Sequence, residues 1–239
     1  MTLKEKYIVK SIDNFQCKEW LIYKHYAKRI PSISFAFGLY NTEMILQGIC
    51  TYGMPCRRYN NGGNIFDNKI KVQTYELNRL VVNDGMEKNT LSFFVAQTLN
   101  ILPKPICLVS YADPNNGHHG FIYQATNWLY TGVAESGGKS FDWILNGKYL
   151  HGRNMTTEYV KGICGKNYDT NKNLYENFQN IGGEIKSQEG KHRYFHLLGG
   201  KKFVAEMKRE MKYEIKPYPK GNNRRYDSSY KPTIQTQMF

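Results

Sequence analysis

"KVQTYELNRLVVNDGMEKNTLSFFVAQTLNILPKPICLVSYADP", residues 71–114, holds a strand, a helix and a second strand in succession. Val72, Tyr75, Leu77, Leu80 and Val82 are interleaved with polar partners, the pattern of a β-strand. Asn89 or Thr90 is placed to cap a helix over "LSFFVAQTLNIL", which Pro103 and Pro105 close. "ICLVSYA" is then a short apolar run, as expected of a strand buried on both faces. Asp113 follows directly, at the carboxyl end of that strand, where open sheets form their sites.

The flanking sequence extends the alternation. "DNFQCKEWLIYKHYAKRI" (13–30) has helical spacing through Phe15, Trp20, Ile22 or Tyr23, and Tyr26, with Pro31 after it. "SISFAFGLY" and "MILQGICTYG" are β-rich runs separated by the polar "NTE", which predicts a hairpin. Residues 57–70, rich in Asn and Gly, read as a loop. After Asp113 come a helix in "GFIYQATNWL", a strand in "YTGVAES", a strand in "KHRYFHLLG" and a helix in "KKFVAEMKREM". Residues 161–190 show little periodicity, and the chain from Pro217 reads as an extended, partly disordered tail. The expected fold class is α/β (α+β), a mixed central sheet flanked by helices. The expected division is a domain over 1–216 and a basic tail over 217–239.

Composition narrows the partners. The 239 residues carry 33 Lys and Arg against 20 Asp and Glu, a formal net charge of +13. Residues 191–231 supply +8 of it, with 12 basic residues against 4 acidic ones. Such clustering is the footprint of a polyanionic partner, and 19 tyrosines supply stacking partners. A basic but merely soluble protein has the same totals. Five scattered cysteines without a Cys-x-x-Cys pair read as reduced, mostly buried thiols. No apolar run is long enough to cross a bilayer, and the N-terminal segment lacks a signal-peptide core, so the expected location is cytoplasmic.

"KHYAKRIPS", "GICTYGMP", "YELNRLVVND", "SYADPNNGHHGFIYQATNWLYTG" and "KHRYF" together resemble the Mom-type DNA-modification proteins of phages, a family placed in the GNAT (N-acetyltransferase-like) superfamily. The resemblance covers roughly residues 15–200. It implies a GNAT-like sheet and an enzyme that converts adenine in double-stranded DNA to its N6-carbamoylmethyl form, protecting phage DNA from restriction. By matching position it implies active-site roles for His25, Tyr26, Asp113 and Tyr123. It implies acetyl-CoA as donor by superfamily analogy, at Leu80, Val82, Lys88, Asn89 and Ser92, and an association with iron. One departure stands out: the Gln/Arg-x-x-Gly-x-Gly/Ala loop that cradles the coenzyme pyrophosphate in GNAT enzymes is replaced by "VVNDGMEKNT", with a single glycine, Gly85.

Each of these residues also has a plainer reading. "ADPNNG" is good turn chemistry, so Asp113 is equally a turn former. His25 beside Tyr26 suits an aromatic helix surface, and Tyr123 sits in a dense aromatic run suited to core packing. His118, His119 and a carboxylate make the donor set of a non-haem iron site, but adjacent loop histidines rarely reach one ion. His25 with Asp113 is the better-placed pair. One of Glu76 and Arg79 faces the cleft, with Arg79 reaching a phosphate or a carboxylate, or the two form an ordinary edge ion pair. Arg57, Arg58, Lys191, Arg193, Lys201, Lys202 and the tail are the candidates for DNA-backbone contacts. Reaching an adenine amine inside a duplex calls for base flipping, with Tyr26 or Trp128 stacking on the target. Two rival functions remain: a conventional acetyl-CoA-dependent N-acetyltransferase, and a non-catalytic basic DNA-binding protein on a GNAT scaffold.

Overall fold

The computed structural model describes residues 2–67, 70–134, 141–150, 152, 155–187 and 190–221. In chain order its elements are α1 (Leu3–Lys6), β1 (Tyr7–Ser11), α2 (Asn14–Glu19), β2 (Phe35–Asn41), β3 (Leu46–Gly53), β4 (Thr74–Val82), α3 (Thr90–Ile101), β5 (Ile106–Ala112), α4 (Phe121–Ala125) and β6 (Leu129–Ala134). Then follow β7 (Phe141–Leu145), β8 (Lys148–Leu150), α5 (Thr157–Cys164), α6 (Leu174–Asn180), β9 (Glu184–Ser187), β10 (Lys191–Leu198) and α7 (Lys201–Arg209). The described residues form two compact units. The larger runs through Val133 and resumes at His192, and the smaller is Ala134–Lys191.

The larger unit is a mixed α/β structure on a seven-stranded sheet ordered β1-β2-β3-β4-β5-β10-β6. β4 and β5 are its central parallel pair, joined through α3 as their sequence predicts. Phe37, Tyr52, Leu77, Phe94, Leu99, Leu108, Trp128 and Tyr194 fill one core, which α3 and α4 cover. On the sheet's other face, Trp20 and Leu21 pack on Ala36, Ile49 and Val81, while Met207 of α7 packs with Tyr59, Val109 and Phe195. Each such buried side chain contributes about 1.5–3 kcal/mol.

The strand pair β4–β5 is what opens a site. Its register runs only Thr74↔Cys107, Tyr75↔Leu108 and Glu76↔Val109, although β4 continues to Val82 and β5 to Ala112. Beyond Glu76 the two strands part. Ser110 bridges the start of the gap, its Oγ donating to Leu77 O at 2.7 Å.

The smaller unit, which takes in the 161–190 stretch, is a three-stranded antiparallel sheet, β8-β7-β9, with α5 and α6. Trp143, Met155, Val160, Cys164 and Phe178 form its own core.

The segment from Met211 to Gly221 is pinned along the larger unit. Met211 bridges Phe66, and Lys212 N–H donates to Ile65 O at 2.9 Å. Lys216 N–H donates to Tyr130 O at 2.8 Å, and Tyr218 Oη donates to Trp128 O at 2.8 Å. The first five residues of the expected tail are therefore held on the sheet, and residues 222–239 lie outside the described residues.

Candidate functional site

The helix predicted over 13–30 is shorter than its spacing suggests. α2 ends at Glu19, and Trp20–Lys24 form one π-helical turn, closed by His25 N–H donating to Trp20 O at 2.8 Å. His25 follows in extended conformation (φ −75°, ψ 134°), so it sits at a helix exit and not on a helix face. The wider turn is fixed from below by the buried indole of Trp20 and from the side by an ion pair, Lys24 Nζ to Asp84 Oδ2 at 2.7 Å. π-turns of this kind re-aim a side chain at a site.

His25 is 5% exposed. Its Nδ1 accepts from Ala27 N–H at 3.1 Å, which leaves the ring proton on Nε2. Burial, with Arg79 and His118 nearby, pushes its pKa down to about 3. His25 is thus a neutral imidazole that donates through Nε2. Tyr26 stacks on it with centroids 4.5 Å apart, yet keeps 44% of its surface exposed.

The opposite wall comes from the end of β5. Asp113 is buried at 6% exposure, and its Oδ1 accepts from Asn115 N–H and Asn115 Nδ2, both at 3.1 Å. The turn chemistry of "ADPNNG" is therefore present, and it serves to orient a buried carboxylate. His118 N–H donates to Asp113 O at 3.0 Å, and the His118 ring lies 5.9 Å from that of Tyr26. Burial lowers the His118 pKa, His119 lowers it further, and Asp113 opposes both.

Tyr123 reaches the gap from α4, whose N-cap Gly120 has φ +80°. A Cβ there would come within 2.5 Å of the Tyr194 ring, so only glycine fits. The Tyr123 phenol lies 2.7 Å from Ser110 Oγ. The Ser110 hydroxyl is the donor within reach of two acceptors, Leu77 O and the Tyr123 phenol oxygen, so the phenol keeps its own proton to give. Burial, with Tyr26 and Glu76 close by, raises the Tyr123 pKa. Tyr123 is a donor, not a base.

The remaining predicted residues distribute differently. Asn89 and Ser92 line a cavity of about 630 Å³ along α3, with Phe93, Ala96, Asn127 and His196. Asn89 occupies the N-cap position at φ +69° but makes no side-chain capping bond, and Ser92 Oγ donates to Asn89 O at 2.9 Å. Leu80 and Val82 pack against the main core, while Lys88 is exposed. Trp128 is fully buried, so it is not a surface on which a base can stack.

Arg193 is also not where a phosphate contact requires it. It is 7% exposed, with Nε donating to Thr131 Oγ1 at 2.9 Å, Nη1 to Tyr59 Oη at 3.2 Å and Nη2 to Thr131 O at 3.2 Å. Its guanidinium lies 3.6 Å over the Tyr213 ring. Arg57, Arg58, Lys191, Lys201 and Lys202 are exposed. Among the described residues no group of three His, Cys, Asp or Glu side chains is arranged to hold a metal ion. No helix among them is long and apolar enough to cross a membrane.

Sequence reasoning missed Asn78. Its Oδ1 accepts from Thr51 Oγ1 at 2.6 Å and its Nδ2 donates to Ser32 O at 2.8 Å, tying the loop after Tyr26 to β3 and β4. A polar amide between Leu77 and Leu80 inside "ELNRL" was the available signal.

The chain is similar to the methylcarbamoylase Mom of Escherichia phage Mu, 24% identical over 202 residues, which span 82% of this chain and 77% of that protein. Among solved structures it is similar to a GNAT family N-acetyltransferase from Escherichia coli in complex with CoA, with a TM-score of 0.35 and 10% identity over 52% of this chain and 68% of that one, too slight a likeness to argue from. The Mom protein family matches residues 6–220, which take in both walls of the site and the gap between β4 and β5, and the chain belongs to that family.

Proposed function

We propose that this protein is a phage DNA-modifying transferase that places a carbamoylmethyl group on the exocyclic amine of adenine in DNA, with His25, Tyr26, Asp113 and Tyr123 as its active-site residues. The observation that carries the reading is the juxtaposition of an exposed Tyr26 ring, stacked on a buried neutral histidine, with His118 held at the buried Asp113 turn. Membership of the Mom family and the methylcarbamoylase relative supply the chemistry.

The roles follow from the protonation states. An adenine amine is a weak nucleophile because its lone pair is delocalised into the ring, so an acceptor for its proton raises its reactivity. Asp113 supplies that acceptor. The exposed face of Tyr26 suits stacking on a flipped base. His25 Nε2–H donates to a ring nitrogen or to the incoming carbonyl, and Tyr123, held protonated, stabilises charge developing at the gap. In the step itself a bond forms from N6 to the incoming methylene carbon, the leaving group departs with its electron pair, and N6 loses one proton.

The cavity along α3 is where a phosphorylated donor would be held. A helix N-terminus such as that of α3 favours a phosphate, and Asn89 and Ser92 at that end line the cavity. When bound, the donor would supply the whole carbamoylmethyl group, its methylene carbon bearing the leaving group that departs as N6 bonds to it. An acetyl group contains no nitrogen and would join N6 through its carbonyl carbon, so acetyl-CoA alone does not balance the product.

The test is protection. Plasmid from cells expressing the wild type is expected to resist restriction enzymes whose sites contain adenine, while plasmid from Asp113→Ala cells is cut normally. Full cutting of both overturns the reading.

A further inference from the structure

We propose that Ile30 and Met54 form a two-pronged apolar wedge that enters the DNA stack beside the target base, with Lys28, Arg29, Arg57 and Arg58 gripping the flanking phosphates. The inference rests on the DNA-modifying reading above and adds the way in which the duplex is opened.

Two loops form the rim of the site. One, Lys28–Ser34, follows His25 and Tyr26 directly. The other, Gly53–Arg58, follows β3. The first loop is tied to the strands beneath the second, and the two meet at Ser32 and Gly53. Ser34 N–H donates to Tyr52 O at 2.7 Å, and Asn78 Nδ2 holds Ser32 O. A Cβ on Gly53 would fall 1.8 Å from Ser32 O, so the two backbones meet at a contact that only glycine permits.

Each loop turns one large apolar side chain into solvent: Ile30 is 49% exposed and Met54 is 44% exposed, beside the half-exposed Tyr26. Each also carries a pair of cations within four residues of that apolar tip. There is no carboxylate between Glu19 and Glu43, or between Glu43 and Asp67, so both loops are purely basic. Arg58 is braced over the buried Tyr59 ring at 4.9 Å. An apolar tip flanked by cations has little to gain from water, whereas it matches a duplex: the tips fill the space a flipped base leaves, and the cations neutralise the phosphates on either side. Unstacking a base step is costly, and a wedge offsets that cost only where a base must leave a duplex.

This gives a test that separates a wedge from a structural role. Ile30→Ser, Met54→Ser and the double variant are compared with wild type on a duplex that the wild type modifies and on the same DNA with the target adenine unpaired. The proposal predicts that the double variant loses at least about tenfold in rate on the duplex and stays within about twofold of wild type on the unpaired substrate. A 2-aminopurine reporter at the target position loses its wild-type fluorescence rise in parallel. Lys28→Gln with Arg57→Gln lowers the salt slope of duplex binding by about 2. Equal losses on both substrates, or no loss on either, overturn the wedge while leaving the enzyme reading intact. Wild-type protein inactive on both substrates overturns the enzyme reading, and the wedge with it.

Discussion

Replacing Arg193 with methionine separates a structural cation from a DNA contact. The guanidinium is buried against Thr131, Tyr59 and Tyr213, three neutral groups, and donates to three oxygens. On truncation the Tyr59 hydroxyl keeps its contact with Tyr213 Oη at 3.3 Å, and Thr131 Oγ1 can rotate. The Thr131 carbonyl loses this donor, a cost of about 1–3 kcal/mol for a buried acceptor. The desolvated stack on Tyr213 adds about 2 kcal/mol. Methionine no longer buries a charge, which returns part of this, so the net destabilisation is about 2–4 kcal/mol. For a chain of this size that is a fall in Tm of roughly 4–16 °C. Thermal and urea unfolding measure it. The salt dependence of DNA binding, measured below the transition, is expected to stay at the wild-type slope. A variant as stable as wild type, with a slope reduced by about 1, would refute the buried-cation account and return Arg193 to the DNA interface.

Three further outcomes follow from the same geometry. His25, whose pKa is depressed to about 3, is expected to show no imidazole protonation by NMR between pH 5 and 8; because the unfolded chain titrates near 6.5, its burial contributes stability that is full above pH 6.5 and declines as pH falls towards 3, by up to about 1.4 kcal/mol per pH unit. The difference in stability between wild type and His25→Gln, followed against pH, isolates that contribution; a flat difference contradicts it. Ser110→Ala strands the Leu77 carbonyl and the Tyr123 hydroxyl and is expected to cost about 1–3 kcal/mol in chemical denaturation, whereas Tyr123→Phe, which leaves the Ser110–Leu77 bond in place, costs less. Gly53→Ala forces the Ser32 carbonyl aside and is expected to lower modification activity along with stability; retention of both means the loops do not meet as described.

The legible part of the fold was the part with strong local signals. β4, α3 and β5 each have an apolar pattern of the right period, so their order and the placement of Asp113 at a central strand end followed directly. Much else depended on tertiary contacts. The helix over 13–30 breaks at Trp20 because the indole packs into the sheet and the turn widens, a choice no period reveals. β7, β8 and β9 are three to five residues each, and their core is assembled from Trp143, Val160 and Phe178, which are far apart in sequence. Arg193 carried a usable signal: it lies two residues before Phe195 in β10, on the strand face that Phe195 buries, so alternation alone places it inward. Trp128 was misread as a stacking platform because aromatic runs look alike whether they face a cleft or a core.

The account's central claim is that Asp113 and its neighbours modify adenine in DNA. Mass spectrometry of nucleosides from the DNA of cells expressing wild-type protein, beside cells expressing the isosteric Asp113→Asn variant, tests it most directly. The account predicts a deoxyadenosine carrying an added carbamoylmethyl group in the first sample and its absence from the second, with both proteins soluble and folded. Unmodified deoxyadenosine in both samples, or equal modification in both, would contradict it.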